Sequence, residues 1–189
     1  LAATNATAGY GIEIDDANVL ASVKNGVAVI QMDIESGLAN FEDGAFDFVI
    51  LSQTLQAMRN AESVLTEMLR VGREGIVTFP NFGYWRHRLD ILQGHMPVSK
   101  TLPYQWYDTP NVRCATIYDF EQLAAECGLE VLERVALAEG GRPVSFLPNL
   151  RRSLAVVRLR KKVPPGPSGR PPPGPPQPAP APPPGRQHA

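Results

Sequence analysis

Three apolar stretches follow one another early in the chain: GYGIEID (residues 9–15), VAVIQMD (27–33) and FDFVILSQ (46–53). The first two end in an acid, and an amphipathic stretch separates them. Strand-like runs alternating with a helical pattern read as successive strands of a parallel α/β sheet. In such sheets ligands bind at the carboxyl ends of the strands, and an acid there typically holds a ribose hydroxyl pair. Glu13 and Asp33 are therefore the first candidates for nucleoside contacts.

The alternation continues. Asp15 or Asp16 can cap a helix with Val19, Leu20 and Val23 on one face, closed by Gly26. Residues 27–32 form a nearly unbroken apolar run, as expected of a strand covered on both faces, and residues 46–51 form a second. Residues 36–44 read as a loop. Asn60 can cap a helix whose buried stripe is Val64, Leu65, Met68 and Leu69, with Gly72 as its stop. Residues 75–79 make another strand, broken off by Pro80. Thr116 to Asp119 is a capping-box pattern ahead of Phe120, Leu123, Ala124 and Cys127, and Gly128 ends that helix. Residues 129–137 and 154–160 are the last strands, an antiparallel pair.

Composition narrows the function. Of 189 residues, 43% are hydrophobic and the net charge is −1, so one substantial core is expected and no attraction to nucleic acid or anionic lipid. Cys114 and Cys127 make neither a disulfide framework nor a metal set, which fits a reducing cytoplasm. No apolar run approaches the roughly 20 residues that span a bilayer. The acceptor pattern at Asn5 is short and carries little weight. Thirteen of the 19 prolines lie within residues 164–184, so residues 1–162 read as the folded domain and 163–189 as a disordered proline-rich tail.

At the level of whole motifs, GYGIEID, FDFVILSQTLQAMR, EMLRVGREGIVTFPNFGYWRHRL and MPVSKTLPYQWYDTPN are specific. Through them the chain resembles the MetW family of methionine biosynthesis proteins, within the class I S-adenosylmethionine-dependent methyltransferase superfamily. The resemblance runs from about Gly9 to about Leu137. It implies a Rossmann-like three-layer α/β sandwich with a mostly parallel seven-stranded sheet, its last strand inserted antiparallel. It also implies a first strand and an acidic glycine-rich turn that would precede Leu1. The expectation is thus an N-terminally incomplete domain, with its first strand missing and S-adenosylmethionine binding impaired. Gly9-Tyr10-Gly11 is no substitute for that turn, because it opens a strand instead of linking strand to helix.

By the same resemblance, Glu13 accepts hydrogen bonds from the ribose, and Asp33 with the backbone of Ile34 reads the adenine amino group. Ser52, and more weakly Gln53 and Thr54, follow the strand where the sheet opens towards cofactor and substrate. Each has a plainer role, in capping helices or satisfying turns. Leu51-Ser52-Gln53-Thr54 is not the Asn/Asp-Pro-Pro-aromatic motif of enzymes that methylate nucleobase or glutamine amides, which again speaks against a nucleic-acid substrate. No general base stands out, so no catalytic residue is assigned. His87 lacks a second ligand at metal spacing, and no metal is expected.

Residues 81–111 hold both tryptophans and three of the five tyrosines, together with Arg86, His87, Arg88, His95 and Lys100. From Gly94 to Val112 no helical or strand period persists, and a long irregular segment with this aromatic content reads as a lid over the active site or a docking surface, or else as a loop that packs its rings on the sheet. Trp85, Trp106 and Arg86 would be the anchors of a docking surface. Two functions follow. One is an accessory subunit that binds and activates homoserine O-acyltransferase, as the family's association implies. The other is an S-adenosylmethionine-dependent methyltransferase acting on a small molecule.

Overall fold

The computed structural model describes residues 9–137, 143–144 and 147–162, so the proline-rich segment and Asn5 lie outside the described residues. Strand β1 (Gly11–Glu13) leads through helix α1 (Asp16–Lys24) to β2 (Val29–Gln31). Strand β3 (Phe46–Ser52) is followed by helix α2 (Ala61–Val71), strand β4 (Gly72–Pro80) and helix α3 (Trp85–Leu92). Helix α4 (Ile117–Glu126) precedes β5 (Leu129–Leu137), a short β6 (Pro143–Val144), the single turn α5 (Pro148–Arg151) and β7 (Leu154–Lys161).

β1 pairs in parallel with β2, and β3 in parallel with β4. The rest corrects the expectation of a mostly parallel sheet. β7 enters between β4 and β5 and runs antiparallel to both, and β6 adds a further antiparallel pair. The five-stranded sheet, in the order β3-β4-β7-β5-β6, is therefore mixed. A single reversed strand with two neighbours makes two antiparallel ladders, and the link from β5 to β7 holds a short strand and one helical turn instead of a crossover helix. The pairing of β5 with β7 is the antiparallel pair expected from the sequence. β1 and β2 stand apart as a two-stranded sheet.

Two capped helices make the core. The Asn60 side chain accepts from Ser63 N at 3.1 Å to start α2, and Val64, Leu65, Met68 and Leu69 are buried along its inner face. Thr116 and Asp119 form the capping box of α4: Thr116 Oγ1 accepts from Asp119 N at 3.2 Å, and Asp119 Oδ2 accepts from Thr116 N at 3.0 Å. These helices bury Leu51, Val77, Phe79, Ala155, Val157 and Leu159 on one face of the sheet, with the Phe79 and Phe120 rings 4.8 Å apart. At roughly 1.5–3 kcal/mol for each large apolar side chain fully buried, this cluster carries the stability of the fold. The β1–α1–β2 unit adds little to it, since α1 buries no residue.

That last point corrects two expectations. Leu20 and Val23 are exposed, so the apolar stripe of α1 is not covered. The runs at β2 and β3 are not buried on both faces either. In the β3–β4 register Leu51 lies opposite Val77 on the core face, while Phe48 and Ile50 lie opposite Glu74 and Ile76 on the other. Phe48 and Ile50 remain 54% and 45% exposed. In this part of the molecule burial is one-sided among the described residues.

Helix α2 passes into β4 without a loop. Gly72 permits this by its size, not by a left-handed backbone: a Cβ there would lie 2.7 Å from Val49 Cγ2 and 3.0 Å from the Met68 carbonyl oxygen. The strand accordingly starts at Gly72, earlier than the apolar run suggests. Among the described residues no helix is long and apolar enough to cross a membrane.

Candidate functional site

The parallel register sets Glu13 opposite Gln31, with Met32 N donating to the Glu13 carbonyl at 3.1 Å, and Asp33 follows two residues beyond Gln31. Glu13 Oε1 accepts from the N–H groups of Ile14 (2.8 Å) and Asp15 (3.0 Å), whereas Oε2 meets only Asn18 Nδ2 at 3.4 Å. Asp15 caps α1, accepting from Asn18 N at 2.9 Å. Asp33 caps a short 3-10 turn (Ile34–Ser36), its Oδ1 accepting from Glu35 N at 2.9 Å. Each acid is thus engaged through one oxygen in shaping its own turn, and the second oxygen of Glu13 has only the long contact with Asn18. The Ile34 side chain packs against the core and anchors the turn.

Ser52 ends β3 with its hydroxyl exposed, and Gln53 turns the chain with φ +49°. A left-handed backbone is uncommon for a residue with a side chain and marks a place where the surroundings hold the chain against its preference. What holds it is Thr78: Gln53 N donates to the Thr78 carbonyl (3.0 Å) and to Thr78 Oγ1 (2.9 Å). Gln56 Nε2 also donates to the Gln53 carbonyl at 2.6 Å. Nothing in the sequence signals this conformation.

Glu35, which the sequence did not mark, brings the two edges together. Its Oε1 accepts from Arg59 N (2.6 Å) and Asn60 N (3.0 Å), fastening the turn after β2 to the segment after β3. A second clasp lies behind it. Arg70 forms a two-pronged ion pair with Glu67, both contacts at 2.9 Å. It also donates to Asp43 (2.7 Å) and to the carbonyls of Leu38 and Phe41. The Arg70 guanidinium beside it holds the Glu67 carboxyl below its ordinary value.

A buried polar network at the carboxyl end of β4 was also not legible in the sequence. Asn81 is fully buried. Its Nδ2 donates to the carbonyls of Asn149 and Arg152, both at 2.9 Å, its Oδ1 accepts from Gly83 N at 2.9 Å, and its N–H donates to the Ser153 carbonyl at 2.7 Å. Asn149 Oδ1 in turn accepts from Ile117 N at 3.1 Å. His87, also buried, has Nδ1 3.1 Å from the Asn81 carbonyl and Nε2 3.2 Å from Ser99 Oγ. A carbonyl can only accept, so Nδ1 carries the proton, Ser99 donates to Nε2, and Thr101 donates to Ser99 across 3.1 Å. Burial pushes the imidazole below its ordinary pKa, against the smaller opposing effect of the Asn81 bond. His87 is therefore a neutral structural group.

This network seats α3 beside the approach to β7. Between them opens a cavity of about 790 Å³, and Glu13, Asp33, Ile34 and Ser52 do not line it. The aromatic segment stands outward. Trp106 and Tyr107 are each 71% exposed, edge to face with ring centroids 5.6 Å apart. Trp85 is partly exposed with the Arg86 guanidinium 5.5 Å from its ring centroid. Phe82 and Tyr84 of the same segment are half-buried against His87.

Residues 1–159 match the family described as methionine biosynthesis protein MetW. The chain belongs to the MetW family. A bifunctional methionine biosynthesis protein MetXA/MetW of Rhodopirellula baltica is 37% identical to this MetW-family chain over 157 residues. That match covers 80% of this chain and 25% of the relative, so the chain spans about a quarter of that protein's length. Among solved structures, a SAM-dependent methyltransferase from Thermotoga maritima superposes with a TM-score of 0.58 at 18% identity, over 81% of this chain and 72% of the other. A SAM-dependent methyltransferase from Methanosarcina mazei gives 0.54 at 16%, over 82% of each chain. The [4+2]-cyclase SpnF gives 0.54 at 19%, over 82% of this chain and 66% of its own. At such identities the likeness shows the fold, an α/β fold shared with SAM-dependent methyltransferases and with a cyclase alike.

Proposed function

We propose that this MetW-family chain is an accessory subunit of homoserine O-acyltransferase, binding that enzyme in the cytoplasm and raising its activity. The observation that carries the reading is the relative in which MetXA and MetW are one polypeptide. Linking two modules covalently raises their effective concentration towards each other, an advantage for partners that work in contact. The exposed Trp106, Tyr107 and Trp85, with Arg86, supply side chains of the kind that dominate interfaces. S-adenosylmethionine is the ligand we propose for Glu13, Asp33, the Ile34 backbone and Ser52. Binding there would let the subunit respond to the pathway's downstream product.

A second reading, methyl transfer from S-adenosylmethionine to a small molecule, draws on Glu13 and Asp33. Methyl transfer needs in-line positioning more than proton transfer, so this reading requires no assigned general base. The test is acyltransferase activity at fixed enzyme concentration, with and without this chain. Stimulation that Trp106→Ala reduces, with association weakened by about 2 kcal/mol or more, supports the accessory role. Equal activities, together with methyl transfer to a small acceptor, would reject it for the second reading.

A further inference from the structure

We propose that the cavity between α3 and the approach to β7 is a binding site for a small organic dianion, with a dicarboxylate as the chemical class. Its volume of about 790 Å³ lies within the range of small-molecule sites. It also sits beyond the carboxyl end of β4, the edge at which α/β sheets place their ligands.

The charge of the lining is one-sided. Arg86, Arg151 and Arg152 contribute three guanidiniums, and Asp90 is the only carboxylate among the lining residues. The arginines come from two elements, Arg86 from α3 and the other two from the segment entering β7. A molecule with an anionic group at each end satisfies both sources, which a single carboxylate does not.

Arg152 supplies the second observation. Among the described residues its Nε is buried without a hydrogen-bond partner, and its Nη1 reaches only the Arg151 carbonyl at 3.3 Å. A buried guanidinium N–H left unpaired is costly, and a planar carboxylate is the acceptor whose geometry matches the guanidinium fork. The backbone beneath is fixed in advance, because Asn81 Nδ2 holds the Arg152 carbonyl and Asn81 N holds the Ser153 carbonyl. Tyr84, Trp85 and Val98 add apolar and aromatic wall for a short carbon chain. The site does not depend on the acyltransferase reading, and its assay needs no partner protein.

The experiment is calorimetric titration of the full chain with succinate and glutarate, against acetate and inorganic phosphate at matched ionic strength. One dicarboxylate is expected to bind saturably at one site, at least tenfold tighter than acetate or phosphate. Arg86→Gln and Arg152→Gln should each weaken it at least tenfold. Arg86 is exposed, so its variant tests the site even if Arg152→Gln disturbs folding. No saturable binding, equal affinity for all four anions, or unchanged binding in Arg86→Gln would overturn the proposal. So would binding of an acidic octapeptide where succinate and glutarate do not bind, which would make the cavity a protein contact.

Discussion

Replacing Asn81 with alanine should cost this fold far more than an ordinary surface change. The side chain makes three hydrogen bonds inside a fully buried site, to the carbonyls of Asn149 and Arg152 and from Gly83 N. Alanine leaves two carbonyls and one N–H without partners. Each such group costs about 1–3 kcal/mol, and water admitted to the space left behind recovers part of it, so the expected loss is about 3–5 kcal/mol. Aspartate separates the hydrogen-bond argument from a volume argument. It has the shape of asparagine and keeps the acceptor for Gly83, but it turns an anionic oxygen towards two carbonyls, so at neutral pH it should be at least as destabilising as alanine. Urea denaturation followed by the fluorescence of Trp85 and Trp106 measures both. A loss below about 1 kcal/mol for Asn81→Ala, or an Asn81→Asp variant as stable as the natural chain, would refute the reasoning.

His87 is buried neutral with a depressed pKa, so the unfolded chain binds its proton more readily than the folded one. Stability is therefore complete above the unfolded value near 6.5 and declines as the pH falls below it. His87→Gln should flatten that part of a stability–pH profile, and an unchanged slope would count against it. Arg70→Lys, which cannot reproduce the two-pronged bond to Glu67, should speed amide exchange over residues 37–44, measured by hydrogen–deuterium exchange mass spectrometry. Identical exchange would show that the clasp does not order the loop. Finally, Glu13→Ala should weaken S-adenosylmethionine binding by about 1–3 kcal/mol, the scale of a charge-assisted hydrogen bond, as measured by calorimetry; unchanged affinity would remove Glu13 from the proposed site.

What was legible in the sequence was local. The caps at Asn60 and Thr116, the stripe on α2 and the positive-φ glycines at Gly26 and Gly128 are fixed by residues within a turn or two of one another. Burial was legible only where a partner existed. Val77 and Phe48 look alike as strand residues, yet one faces two helices and the other lies on the far side of the β3–β4 ladder. Glu13 and Asp33 could be placed at strand ends from the alternation, but the oxygen engaged on each depends on which backbone N–H groups turn back towards it. The network around Asn81 joins residues 68 and 71 positions apart, and no pattern of composition announces such a pairing.

The passage of α2 directly into β4 at Gly72 also constrains how this chain can vary in length. Side chains on a strand alternate between faces, so one residue inserted or deleted at that junction would exchange the two faces of β4. Val77 and Phe79 would turn outward while Thr78 and Ile76 turned into the core. With no loop to absorb the change, the segment 61–80 is locked in length, whereas the exposed stretch at 93–96 has room for insertions. Homologues of different length should therefore differ around α3 and keep an unbroken count of residues from Asn60 to Asn81.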